Sequence, residues 1–548
     1  MAIDIKKKID EMSIEDLCGQ VLCYDVQPND TEKETMEVIK RIRPGSLYLC
    51  EIDPSETDLE GRFLRDRRFA DYARSLTGSP LLMCTDMEHG PGTYLHGKMT
   101  ELPNYMAWAA CDNEQYIERA AELTARITRK KFGIHYTLSP VTDLFVNFRT
   151  PTMATRSMSD DPDRVIRIAG AYVRGIQKNG YLAATIKHFP GEGVDERNSH
   201  FLTTVNSFSR TKWMKTYGKV YKALFKVGVD SVMVGHSCCP AFQSSEEIDE
   251  YGALPGTLSK DLMAGLLKEK LGFKGCVISD AMSMIGACAR VPEEKLSVEF
   301  IKAGGDLVLF PEPEQYDYLV KAVKSGEIPM ERIKDAVYRV MRLKEKTRLY
   351  EEEKVQNEIG DIDADITELN ELAQKIADNA VKVVRNNEKV LPIKCKKGKV
   401  IIIKVGGSFF NTEPDNTPFE YIEKEFKERG WEVNSQFFPK HKYLKSIMNE
   451  YDLVVVACHG NYHGSTLRVG WSNMMAFWRG YILQHPNIVF VGLDDPCKLY
   501  DFPYAKTYIN AFGTAPVLQR SVVKLILGEI ESRGKNPLSF PPYFERED

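Results

Sequence analysis

Residues 182–193 read LAATIKHFPGEG, an apolar run that ends on a lysine–histidine pair and turns away through Pro190 and Gly191. A short, continuous apolar run has the pattern of a strand buried on both faces, which belongs in a parallel sheet covered by helices. Comparable runs flank it, in SLYLC, PLLMCTD, IHYTLSPVTD, DSVMVGH, GCVISD and GGDLVLF, with helix-length amphipathic segments between them. This alternation predicts an α/β barrel or a doubly wound sheet. The ends of the runs favour the barrel, because Asp86, Asp143, Lys187, His236 and Asp280 each close one of them. A barrel gathers all its strand ends on one face, where active sites are built. One acid after one strand would be read as a helix cap; five such ends are harder to explain that way.

The 548 residues exceed one ordinary core and imply more than one domain. The predicted architecture is a TIM-type (β/α)8 barrel over 1–343, a charged helical linker over 344–380 and an α/β sandwich domain over 381–548. In the last of these, GKVIIIKVGG, YDLVVVACHG and PNIVFVGL start a second alternation. A net charge of −5 carries no electrostatic footprint for nucleic acid or an anionic membrane. The start, MAIDIKKKIDEMSIEDLCGQ, lacks the apolar stretch of a signal peptide, and no later run is long enough to span a bilayer, so a cytoplasmic protein is expected. The 12 cysteines are scattered and their one close pair, Cys238–Cys239, is adjacent, which predicts reduced thiols rather than a disulfide framework or zinc site. Neither GxxxxGK[ST] nor GxGxxG follows the early strands, and neither HExxH nor an aspartate cage is present, so no cofactor and no metal are predicted.

The strand ends suit a polyhydroxylated ligand. Asp280, behind Ser279, is a candidate carboxylate nucleophile held at a strand end. Asp86 opens an acid-rich turn with Glu88 and His89 and supplies an acceptor; Arg156, in TRSMSDDPDRV, reaches inward from a loop, whereas Arg164 is expected on a helix surface. Lys187 and His188 supply donors, although strict alternation would turn one of them into the barrel wall. His236 is as well explained by a satisfied structural histidine as by a ligand contact.

The segments KHFPGEG, VISDAMSM, RSMSDDPD and PGTLSKDLMAGLLKEKLGFKG together resemble glycoside hydrolase family 3, and within it the β-N-acetylglucosaminidase branch. The resemblance covers nearly the whole chain, from EDLCGQVLCYD to AKTYINAFGTAPVLQRSVVKLILGEIESRGKNPLSFP. It implies a carbohydrate substrate and retaining hydrolysis of a terminal sugar through a covalent glycosyl-enzyme. By similarity Asp280 falls on the nucleophile, and Asp86, Arg156, Lys187 and His188 fall on sugar-binding residues, with His236 lining the site.

The branch carries its acid/base as a histidine partnered by an aspartate two residues earlier. Here that pattern reads Asn198-Ser199-His200, and Glu192 stands where the branch commonly has histidine. His200 is the expected acid/base; Glu192 and Glu196 stand as alternatives for that role. Gly191 and Gly193 allow the unusual backbone angles and mobility that a group entering the site on a loop needs. The expected activity is release of a terminal β-linked N-acetylglucosamine, with a β-glucosidase or β-xylosidase, or a sugar-binding pseudoenzyme with impaired acid/base chemistry, as alternatives. Transfer to phosphate stays open, since a neutral imidazole repels an incoming anion less than a carboxylate. Some family members add a catalytic glutamate from the second domain; VVACHGNYHG offers His459 and His463 at that strand end, and no glutamate.

Overall fold

The computed structural model describes residues 4–27, 29–52, 56–95, 98–395, 397–406, 417–437, 444–460 and 481–548. Among these, eight parallel strands form a ring: β1 (Leu22–Val26), β2 (Ser46–Leu49), β3 (Leu82–Thr85), β4 (Tyr136–Thr137), β5 (Ala183–Phe189), β6 (Ser231–Val234), β7 (Cys276–Ser279) and β8 (Val308–Leu309). Each pairs with its successor up to β7, β8 returns to β1 through Leu22↔Val308, and an Ile278↔Leu307 bridge closes the last gap. The expected (β/α)8 barrel is therefore present.

Its strands are apolar throughout because both of their faces are buried. Cys23, Leu82, Cys84, Tyr136, Met233, Cys276 and Ile278 fill the barrel interior as one cluster. Their neighbours Leu22, Met83, Val232 and Val277 face outward into the core shared with the helices. Two period-2 patterns, each apolar, add up to the continuous runs seen in sequence. Within the barrel interior the hydroxyls of Tyr136 and Ser231 lie 2.6 Å apart.

β5 departs from strict alternation. Its register against β6 shifts between Ile186 and Phe189, and the Lys187–His188 peptide bond is cis. The shift is a bulge that re-aims side chains, so Lys187 and His188 both reach groups at the mouth and neither enters the barrel wall, contrary to the sequence expectation.

The second sheet has the order β9-β14-β13-β12-β10-β11 among the described residues: β9 (Lys382–Asn386), β10 (Lys399–Val405), β11 (Glu432–Phe437), β12 (Leu453–Cys458), β13 (Ile488–Gly492) and β14 (Thr507–Asn510). All of its pairs are parallel except β9–β14. Between the sheets, helix Asp363–Ala380 lies on barrel helices Tyr105–Cys111 and Glu114–Phe132, held by Arg119–Glu368 at 2.6 Å and Arg126–Asp365 at 2.7 Å.

The chain end then returns to the barrel. The backbone N–H of Lys535 donates to the Ala110 carbonyl at 2.9 Å, Arg546 pairs with Asp160 at 2.8 Å, and Phe148 meets Tyr500 and Phe540 at ring distances of 5.1 and 5.2 Å. This return explains why Arg164 is not on the surface: it is 3% exposed and donates to the carbonyls of Asn536, at 3.3 Å, and Glu547. No helix among the described residues is long and apolar enough to cross a membrane.

The floor of the barrel holds an uncompensated amine. Lys344, near the end of helix Met330–Lys346, is fully buried and donates to Gln20 Oε1 at 2.7 Å and Ser79 Oγ at 3.4 Å. Burial pushes its pKa down from 10.5 to about 7. Between those values the unfolded chain binds a proton that the folded chain does not, so this residue makes stability rise with pH. Wild-type melting temperature is expected to gain on that of Lys344→Met as pH is raised from 7 to 10, measured by calorimetry. Parallel curves would show that the buried amine stays charged.

Candidate active site

The mouth of the barrel is organised around Asp143, which is fully buried in the loop after β4. Its Oδ2 accepts the backbone N–H of His188 at 2.9 Å and faces His188 Nδ1 at 2.7 Å, while Oδ1 accepts the backbone N–H of Glu192 at 2.7 Å. Burial alone would lower the His188 pKa, but the hydrogen bond and charge of Asp143, with Glu192 and Asp280 adding to them, raise it above the ordinary value. An imidazolium is therefore favoured at this position.

On the other side of β5, Lys187 Nζ lies 2.7 Å from Asp86 Oδ1 and 2.9 Å from Glu88 Oε1. Glu88 also takes the Arg156 guanidinium in a two-pronged pair, at 2.9 and 2.8 Å, and Tyr48 donates to Asp86 Oδ2 at 2.9 Å. Burial would raise the Glu88 pKa, yet Arg156 and Lys187 hold it well below the usual carboxylate range. Burial likewise opposes the charge on Lys187, and Asp86 and Glu88 outweigh it. The cluster carries two fixed cations and two fixed anions, preorganised to present donors and acceptors to hydroxyl groups.

Asp280 follows β7 directly. Its backbone N–H donates to the Val234 carbonyl at 2.8 Å, and its Oδ1 accepts the N–H of Ala281 at 2.8 Å. Burial raises its pKa, but His188, His236, that N–H and Lys187 together hold it below the ordinary value, so it is a carboxylate at neutral pH. His236 is completely buried with both ring nitrogens used: Nε2 lies 2.9 Å from the Ala281 carbonyl and Nδ1 2.9 Å from Thr257 Oγ1. A carbonyl accepts, so Nε2 carries the proton and Nδ1 accepts from the threonine. Burial lowers its pKa, and its place is behind the Asp280 turn, bracing the backbone.

The loop after β5 crosses the mouth. Pro190 and Gly191 present carbonyls to Trp213 Nε1 at 2.8 Å and Asn206 Nδ2 at 3.0 Å. Gly191 and Gly193 have φ of 114° and 90°, and a Cβ would meet the Tyr217 ring at 2.3 Å or the Leu144 carbonyl at 2.0 Å. The unusual angles expected of both glycines are present, and close approach is what demands them. Beyond them, Glu192 is 7% exposed and faces the hydroxyls of Ser199 (3.1 Å), Thr152 (3.4 Å) and Ser237 (3.5 Å). Burial raises its pKa, with Asp143 and Asp280 adding to the effect against His188.

Asn198 Oδ1 takes both the backbone N–H of His200 at 3.0 Å and His200 Nδ1 at 2.8 Å. The backbone donor identifies that atom as the oxygen, which places the imidazole proton on Nδ1 and leaves Nε2 as the working nitrogen. The loop then reaches the segment after Asp280, where Thr203 donates to the Gly286 carbonyl at 2.9 Å. Glu196 is exposed and pairs with Arg149 at 3.5 Å, turned away from these groups, and Asp195 is occupied by Arg197 and the N–H of Val205.

The structure thus gathers Asp86, Arg156, Lys187, His188, Glu192 and Asp280 through direct contacts or shared neighbours. Sequence reasoning left out Glu88 and Asp143 as partners: the first resembles an ordinary loop acid, and the second pairs with a histidine 45 positions later. In the second domain His459 Nδ1 lies 2.6 Å from Asp494 Oδ2 after β12, and His463 lies outside the described residues. Among the described residues no group of three or more His, Cys, Asp or Glu side chains is placed to hold a metal ion.

Residues 5–343 match the model of the glycosyl hydrolase family 3 N-terminal domain. A β-N-acetylglucosaminidase/β-glucosidase of Cellulomonas fimi is 28% identical over 561 aligned positions, covering 97% of this chain and 95% of that protein. A β-hexosaminidase of Stenotrophomonas maltophilia (strain K279a) is 30% identical over 261 positions, covering 46% of this chain and 74% of its own length. Among solved structures, a β-glucoside phosphorylase, BglX, bound to 2FGlc superposes with a TM-score of 0.85 at 26% identity, covering 98% of this chain and 96% of that one.

Asp143→Asn is expected to lower the pH at which His188 titrates by about one to three units, since burial remains and the charge that opposed it is gone. Ring-carbon NMR of histidine-labelled protein measures it; an unmoved titration would show that Asp143 does not set the charge of His188.

Proposed function

The chain belongs to glycoside hydrolase family 3, and from that membership we propose that it is a retaining, exo-acting β-glycosidase working through a glycosyl-enzyme on Asp280. N-acetylglucosamine is the first candidate for the released sugar, ahead of glucose and xylose. The observation that carries the reading is the state of Asp280: an ionised carboxylate on a rigid strand end, beside a built cluster of Asp86, Arg156, Lys187 and His188. A nucleophile of this kind attacks the anomeric carbon while a second group protonates the departing oxygen.

His200 is assigned that second role. Its Nε2 gives the proton to the leaving oxygen and takes one back from the water that later attacks the glycosyl-enzyme. Asn198 fixes the tautomer and ring plane but adds no negative charge to stabilise the imidazolium. Proton donation is therefore driven by geometry more than by a matched ion pair, and aglycones that leave without help should be favoured. The sugar's hydroxyls are assigned to Asp86, Arg156, Lys187 and His188.

One observation favours a second reading, in which phosphate replaces water in the second step. The amide nitrogen of Asn198 is buried and has no hydrogen-bond partner among the described residues. A neutral side chain with a spare N–H, next to the imidazole, offers an anion a donor where a carboxylate would repel it. The β-glucoside phosphorylase at 26% identity and near-complete coverage is consistent with that chemistry.

Purified enzyme is expected to release 4-nitrophenol from one of the β-N-acetylglucosaminide, β-glucoside and β-xyloside, and Asp280→Ala to lose about 10⁴-fold or more of that rate while melting as the wild type does. Phosphorus NMR with added phosphate separates the two readings: a sugar 1-phosphate supports phosphorolysis, and free sugar alone supports hydrolysis. Undiminished release by Asp280→Ala would remove the aspartate from the nucleophile's role.

A further inference from the structure

Glu192 stands where three loops of the barrel mouth meet. Ser199, whose hydroxyl reaches its Oε2 at 3.1 Å, lies between Asn198 and His200 in the chain. Thr152, at 3.4 Å from the same oxygen, belongs to the turn whose carbonyl Arg156 Nη1 holds at 3.1 Å. Ser237, at 3.5 Å from Oε1, follows His236. The backbone N–H of Glu192 is itself fixed to Asp143. A carboxyl only 7% exposed ordinarily has a lysine or arginine beside it, whereas these partners are hydroxyls on three different segments. The charge of His188 acts on it from nearby, but its hydrogen bonds go to these hydroxyls, and through them it ties loops together.

We propose that Glu192 is the positioning residue of the His200 loop: through Ser199 it holds the Asn198–Ser199–His200 turn against the Arg156 loop, so that the imidazole meets the glycosidic oxygen in register with the bound sugar. The proposal rests on reading His200 as the acid/base. With no charge on Asn198 to draw the imidazole into place, orientation is what the protein has left to contribute, and misplacement by about 1 Å can cost on the order of 100-fold in rate. The His200 ring is exposed, while Asn198 and Ser199 before it are 5% and 4% exposed. The loop is thus anchored one residue short of its working group. Burial, with Asp143 and Asp280, raises the Glu192 pKa against His188, and in either protonation state the carboxyl oxygens can accept from these hydroxyls.

The test compares Glu192→Ala, Glu192→Gln, Ser199→Ala, the Glu192→Ala/Ser199→Ala double variant and His200→Ala on an activated aryl glycoside (2,4-dinitrophenyl) and an unactivated one (phenyl) of the preferred sugar. Loss of acid catalysis should slow the phenyl glycoside by about 100-fold or more in His200→Ala and about tenfold in Glu192→Ala, with little change on the dinitrophenyl substrate in the glycosylation step. Glu192→Gln keeps an acceptor and a donor and should retain most of the phenyl activity. The double variant should match the worse single variant, because both remove one contact.

Equal slowing of both substrates by Glu192→Ala, or additive losses in the double variant, overturns the positioning role. Glu192→Gln as inactive as Glu192→Ala on the phenyl substrate also overturns it, by making the carboxyl itself the proton donor. If His200→Ala shows no leaving-group dependence, the assignment of His200 is what has failed.

Discussion

Everything at the mouth of the barrel depends on where one buried carboxylate puts its two oxygens. Asp143 is closed off from solvent and receives three donors: the backbone and ring of His188 on one oxygen and the backbone of Glu192 on the other. A buried anion that lost those donors would pay the desolvation of a charge with nothing in return, which makes the arrangement hard to relax. Its effect runs both ways along the chain. Toward the strand it fixes the bulge that aims Lys187 at Asp86 and Glu88; toward the loop it sets the start of the turn on which Glu192, Asn198 and His200 lie.

Electrostatics in the site follow from pairing within a desolvated space. Arg156, Lys187 and His188 are each matched by a carboxylate at 2.7–2.9 Å. Pairs of this kind add little to stability, because their Coulomb attraction repays the loss of hydration and not much more. What they give is a fixed field and fixed donors before any ligand arrives. Asp280 profits from that field without being tied up by any one cation: the charges of His188 and Lys187 help to hold its carboxyl ionised, and the neighbouring backbone N–H donates to it. That is the state a carboxylate nucleophile needs.

The barrel was legible in the sequence because strands buried on both faces read as unbroken apolar runs, and the polar residues that end them stand out against that background. Asp86, Lys187, His188 and Asp280 were visible for this reason. Partnership was not visible, since Asp143 and His188, or Glu88 and Arg156, meet through the curl of the barrel and not through any local period. Arg164 was misplaced because the segment that covers it, around Asn536 and Glu547, lies more than 370 positions later. His236 has the outward signs of a ligand and the hydrogen bonds of a brace, a distinction that rests on which atoms its nitrogens face. Glu196 and Glu192 look alike in the string EGVDER; backbone turns send one to solvent and the other beneath the loop.

The direct test of Asp280 as the nucleophile is to trap the intermediate. Incubation with a 5-fluoro-β-N-acetylglucosaminyl fluoride, or its glucosyl analogue, slows both steps by destabilising the oxocarbenium-like transition state, and peptide mass spectrometry then locates the sugar. A single fluorosugar on the peptide containing Asp280, absent from Asp280→Ala, is the predicted result. A label on another carboxylate, or turnover with an inverted anomeric product and no adduct, would contradict it.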